Sequence, residues 1–149
     1  MKFLPLLLII GSISFFTACQ NRPHTHSVSV TYFSNAASSA PYSEAVKAGN
    51  TLYLAGKLGM KDGQLAEGGI QAETQQTMEN IQAVLSSHGA SMDDIVKVTV
   101  FLADMGEWGQ MNEVYRTFFK DHYPARSAVG VDSIARGARL EIECIAVLP

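Results

Sequence analysis

The apolar period changes several times along this chain, and that alternation limits the fold more than any other feature of the sequence. Val28-Ser29-Val30-Thr31-Tyr32 repeats every two residues, as a half-buried strand does. Ser43 to Ala48 reads as a short second strand, turned at Gly49-Asn50 into its hairpin partner Thr51-Leu52-Tyr53-Leu54-Ala55-Gly56. Lys61-Asp62-Gly63 and Gly68-Gly69 are turn signals. From Ile70 the spacing becomes three and four residues: Ile70, Thr74, Met78, Ile81, Val84 and Leu85 form one helical stripe that stops at His88-Gly89. Asp93-Asp94 lead into a buried strand from Ile95 to Leu102, rich in β-branched residues. A second helix, marked by Trp108, Met111, Val114, Tyr115, Phe118 and Phe119, is closed by Pro124. Strands over Arg126 to Val131 and Leu140 to Val147 finish the chain, with a turn at Ala135-Arg136-Gly137. The order β-β-β-α-β-α-β-β predicts an α+β fold, a mixed sheet with two helices on one face. Because the other face then lacks a cover, self-association is expected.

The N-terminus follows different rules. Lys2 precedes an apolar run from Phe3 to Phe16 that is interrupted by Pro5, Gly11, Ser12 and Ser14. That run is shorter than the roughly 20 residues a membrane-spanning helix needs, and has the length of a signal peptide. Phe16-Thr17-Ala18-Cys19 resembles the lipobox of bacterial lipoproteins, which implies cleavage before Cys19, lipidation of that cysteine and a place in the cell envelope, outside the cytoplasm. Phe16 departs from the aliphatic residue usual there. Residues 1–18 are therefore expected to be a signal peptide, 19–27 a tether and 28–149 the folded domain. His24 and His26 lie in the tether with no third ligand in reach, so no metal site is expected.

Composition excludes other classes. A chain of 149 residues, 47% of them hydrophobic, describes one globular domain rather than a disordered protein. With Cys19 acylated, Cys144 is the only free thiol and no intrachain disulfide can form. The net charge of -3, without a Lys/Arg cluster, gives no surface to track a phosphate backbone, and no nucleic-acid partner is expected.

No nucleophile elbow, phosphate loop, zinc ligand set or dinucleotide fingerprint is present. What remains is charge in apolar strands. Arg126 lies among small and apolar residues, an expensive place for a cation without a partner or ligand. Glu141 and Glu143 share a face of the last strand, opposite Leu140, Ile142 and Cys144. These groups either converge on a ligand or form an ordinary partly buried ion pair on neighbouring strands. Cys144 reads as a small core residue rather than a nucleophile.

Pro124-Ala125-Arg126-Ser127-Ala128-Val129-Gly130-Val131, with Leu140-Glu141-Ile142-Glu143 and Ile145-Ala146-Val147, closely resembles the C-terminal signature of the Rid family, the reactive intermediate deaminases. Ala40-Pro41-Tyr42-Ser43-Glu44-Ala45-Val46, Asn80-Ile81, the strand Val96 to Leu102 and Met111-Asn112-Glu113-Val114-Tyr115 resemble family segments in the same order. The resemblance implies a chorismate-mutase-like subunit, a homotrimer and sites in clefts between subunits. It implies hydrolysis of 2-imino acids and their enamines to 2-keto acids and ammonia, with no cofactor. Arg126 would grip the substrate carboxylate, Glu141 would position the attacking water, Tyr42 would line the cleft and the Ala128 carbonyl would face the imine nitrogen. Tyr42 and Asn112 have plainer readings, as a packing residue and as a cap near the second helix.

Departures from the family pattern matter as well. Active members commonly carry Ser-Gly-Gln where this chain has Ala55-Gly56-Lys57, and Ala40 stands where a glycine is usual. The serine hydroxyl is lost, and Lys57 either brings a second positive charge to the cleft or points to solvent. The alternative function is accordingly a noncatalytic module that binds a small carboxylate. A ribonuclease activity is also ascribed to this family, and the acidic charge speaks against it here.

Overall fold

A computed structural model describes residues 27–34 and 40–149; the signal segment, Cys19, the two tether histidines and nearly all of the tether lie outside those residues. Strands β1 (Val30–Phe33), β2 (Ala45–Ala48) and β3 (Thr51–Lys57) form an antiparallel meander. A two-residue pair, β4 (Met60–Lys61) and β5 (Gln64–Leu65), precedes helix α1 (Gly69–Ser87). Strand β6 (Ile95–Leu102), helix α2 (Trp108–Tyr115), strand β7 (Ala125–Gly130) and strand β8 (Leu140–Val147) complete the chain. The sheet order is β1-β2-β3-β8-β6-β7. Only β6 and β7 run parallel, because α2 carries the chain back across one face between them.

Alternation along β8 sorts the two faces. Leu140, Ile142, Cys144 and Ala146 are buried beneath the helices, against Leu52, Val98, Val100, Met78, Ile81, Leu85 and Met111. The odd-numbered residues of β8 point the other way. On that second face Tyr53 is 46% exposed, Val129 43% and Val147 38%, so the apolar surface expected from a half-covered sheet is there.

Two details differ from the sequence reading. The β4-β5 hairpin is too short to show a period, and its turn is betrayed only by Asp62 (φ 51°) and Gly63 (φ 82°). The second helix ends at Tyr115 and tightens into a 3-10 turn over Arg116–Phe118, so one helical stripe cannot run from Trp108 to Phe119. Met111, Tyr115 and Phe119 are buried, whereas Trp108 is 44% exposed.

Polar contacts inside α1 fix what surrounds it. The buried Glu73 carboxylate accepts the Arg139 backbone N–H at 2.9 Å, which anchors the residue before β8. Asn80 donates to the carbonyls of Leu58 and Met60, at 2.9 Å each. A Cβ on Gly59 would lie 2.5 Å from the Glu73 carbonyl oxygen, so only glycine lets this loop approach the helix so closely. The loop after β3 is thereby pinned along α1.

Candidate active site

Arg126 stands on the helix-covered face. Its register partner Val98 is buried there, and its guanidinium carbon lies 4.5 Å from the ring centroid of Tyr115, a cation–π contact. Asn112, Arg116, Tyr123 and Pro124 join Tyr115 and Arg126 around an open cleft of about 350 Å³. Arg126 takes part in no salt bridge with any described residue. No carboxylate among the described residues therefore competes with an anion entering the cleft for this guanidinium. The Asn112 carbonyl accepts from Arg116 Nε at 3.2 Å while Asn112 itself lines the cleft. Because β7 is an edge strand and Val131 N–H bonds back to Leu102 on β6, strand alternation turns the Ala128 carbonyl outward along the free edge.

Glu141 stands on the opposite face, half-buried beside Phe101, its register partner on β6. Its carboxylate lies directly over Gly56: a Cβ added there would fall 1.8 Å from Glu141 Oε1. The bulge in β3 between Leu54 and Lys57 makes room for this contact. Gly56 also borders a groove of about 530 Å³, shared with Tyr42, Glu44, Lys57, Asn80 and Arg136. Lys57 is neither directed at solvent nor an unpaired cation, since its Nζ donates to Glu44 Oε1 at 2.8 Å. Tyr42 is 65% exposed at the groove rim.

The convergence expected of Arg126, Glu141 and Glu143 does not occur within one chain, and neither does the simple ion pair. Strand β6 separates β7 from β8, so these are not neighbouring strands. Register places Arg126 with Val98 and Cys144 on one face, and Glu141 with Phe101 and Val129 on the other. Alternation along each strand was legible in the sequence; how β7 and β8 align through β6 was not. Tyr115, Glu44 and Gly56 escaped the sequence reading as site residues. Tyr115 looked like helix core, and nothing in a local pattern joins Glu44 to Lys57 across a hairpin. Among the described residues no group of three His, Cys, Asp or Glu side chains could hold a metal ion.

Two buried acids behind this site resist ionisation. Burial pushes the Cys144 thiol from 9.0 up to about 12, with the Glu143 carboxylate adding to the shift and Lys57 opposing it. Burial likewise raises the Tyr115 phenol to about 12, with Arg126 opposing and Cys144 reinforcing. Both raised values mean that stability is fully present below the ordinary pKa and is lost as pH climbs toward 12. Denaturant midpoints measured from pH 8 to 11 should fall once pH passes about 9, where an unfolded thiol ionises, with Cys144 contributing up to about 1.4 kcal/mol per pH unit. Cys144→Ala should flatten that decline; an unchanged slope would place the proton release elsewhere.

Fold and site together define the class: an α+β subunit of the chorismate-mutase-like type. The profile of a family described as Endoribonuclease L-PSP matches residues 33–148, and the chain belongs to that family, which is the Rid family its motifs resemble. It is 43% identical over 109 residues to the mouse 2-iminobutanoate/2-iminopropanoate deaminase, covering 72% of this chain and 81% of the mouse protein. A RutC family protein of Pyrococcus horikoshii is 45% identical over 108 residues, covering 71% of this chain and 86% of that one. Among solved structures, yeast Mmf1 superposes with a TM-score of 0.76 at 38% identity, over 81% of this chain and 100% of Mmf1. Escherichia coli TdcF, solved with bound serine, gives 0.70 at 33% identity, over 75% of this chain and 91% of TdcF.

Proposed function

We propose that this protein hydrolyses reactive 2-imino acids and their enamines to 2-keto acids and ammonia, at a cleft between subunits of a homotrimer. The observation that carries this reading is the separation of Arg126 and Glu141 by the sheet. A cation without an acidic partner and a carboxylate held over a glycine are two halves of a site that a second copy completes. The exposed apolar face supplies surface for such an assembly. Relatives named as imine deaminases supply the reaction class.

In this site the guanidinium of Arg126 holds the substrate carboxylate by two parallel hydrogen bonds, which fixes the C=N carbon. Glu141 of the adjoining copy orients a water and accepts its proton as the oxygen bonds to that carbon. The π electrons of the C=N bond move to nitrogen, which takes a proton from solvent, giving a carbinolamine. Glu141 then passes its proton to that nitrogen, and the hydroxyl proton returns to solvent as C=O forms, the C–N bond breaks and ammonia leaves, so neither a cofactor nor net redox change is required. Tyr42 and Asn112 line the cleft, and the outward Ala128 carbonyl accepts from the imine N–H. Loss of the serine hydroxyl at Ala55 removes one donor without touching either charged group.

Cys19 is proposed as the lipidated end of the mature protein, with the domain from residue 28 held outside the cytoplasm by the tether. The function is tested by generating 2-aminoacrylate in the presence of the full-length chain and following keto-acid release. Faster release with the native protein than with Arg126→Ala is the expected result. No acceleration of any imine, together with retained binding of small carboxylates, would make this a binding module instead.

A further inference from the structure

We propose that the groove beside Gly56 selects imino acids whose side chains carry a second negative charge, and that Arg136 is the residue that meets it. This inference rests on the imine-hydrolase reading above. An imino acid presents three groups from its reacting carbon. Arg126 takes the carboxylate, the Ala128 carbonyl takes the nitrogen, and the side chain must go elsewhere. Gly56, over which the Glu141 carboxylate lies, borders a groove of about 530 Å³, and the side chain is assigned to it.

The charges around that groove are unequal. Lys57 and Glu44 satisfy one another at 2.8 Å. Arg136 lines the same groove and takes part in no salt bridge with any described residue. Among the residues that line the groove the pair cancels and Arg136 is the cation left over, while the Glu141 carboxylate lies beyond that lining, over Gly56. Arg136 is exposed and sits in the left-handed region at φ 61°, ψ 13°, a conformation that glycine or asparagine adopts with less strain. A turn alone gives no reason for arginine at that position. The lining also includes Leu58, Met60 and Val84, apolar surface suited to one or two methylene groups. Methylenes followed by a carboxylate describe the imines of glutamate and aspartate, and the reaction that supplies them must be an oxidation or elimination acting on an acidic amino acid.

The test uses the purified full-length chain and imines generated in the cuvette by flavin amino-acid oxidases from glutamate, aspartate, leucine and methionine. The acidic imines should be hydrolysed with kcat/KM about tenfold above the neutral ones, as expected for one charge-assisted contact. Arg136→Glu should invert the acidic-to-neutral ratio, and Arg136→Lys should keep part of the preference. Lys57→Gln, which leaves Glu44 uncompensated in the groove, should also lower the ratio. Because a ratio is read on enzyme that turns over, a misfolded variant cannot mimic the result. Neutral imines hydrolysed as well as acidic ones, or a ratio untouched by Arg136→Glu, would overturn this inference and leave the imine-hydrolase reading standing. Failure to accelerate any of the four would overturn both.

Discussion

Two inactive variants, mixed, are expected to regain activity. Arg126→Ala should lower kcat/KM by about a hundredfold or more, because it removes two charge-assisted hydrogen bonds to the substrate carboxylate. Glu141→Gln should do comparable damage by leaving the attacking water without a base. If each site takes Arg126 from one copy and Glu141 from the next, trimers assembled from an equal mixture contain some sites with both native groups. Chance pairing makes these about a quarter of all sites, so turnover should recover to about a quarter of the native value. The mixture is unfolded together and refolded, and keto-acid release is compared with that of each variant refolded alone. Recovery follows only when the two groups come from different chains. A mixture no more active than its components would place both groups in one chain, against the register that parts them across the sheet.

Gly56→Ala is expected to be nearly as damaging, although it adds a single methyl group. The new Cβ would lie 1.8 Å from Glu141 Oε1 and 2.7 Å from its carboxyl carbon, so the carboxylate has to leave its seat. Displacing the base proposed here by an ångström or more should cost about a hundredfold in kcat, whereas the overpacking itself costs roughly 1–3 kcal/mol of stability. A double-mutant cycle separates the two. In a Glu141→Ala background the stability cost of Gly56→Ala should largely vanish, since the colliding group is gone. An equal cost in both backgrounds would mean that Gly56 is needed for the path of its own backbone and not for Glu141.

These expectations show how the fold and the site were unevenly legible. The period of Ile70, Thr74, Met78, Ile81, Val84 and Leu85 gave α1, and all six are buried, because a helix repeats its environment every few residues and the pattern is local. Strand 95–102 was legible from its β-branched residues and strand 140–147 from the alternation of its side chains, both of which are local signals. Trp108 misled, since it is the first residue of α2 and stays 44% exposed there, and the turn after Tyr115 ends the helical period before Phe118 with no local signal to announce it. The β4-β5 hairpin escaped because two residues cannot display a period.

The site depends on longer reach. Arg126 stood out from sequence because a cation among small and apolar residues needs a reason, and Tyr115 now accounts for part of it. The proximity of Glu44 to Lys57, and of Glu141 to Gly56, arises from strand register and from one bulge, which distant backbone hydrogen bonds set together. The sequence by itself determined the elements, their amphipathic faces and the unusual charges, since propensity and period act between near neighbours. Only the tertiary structure decided that β6 lies between β7 and β8, and hence that Arg126 and Glu141 face away from one another, because strand order is fixed by packing of the whole sheet against its helices.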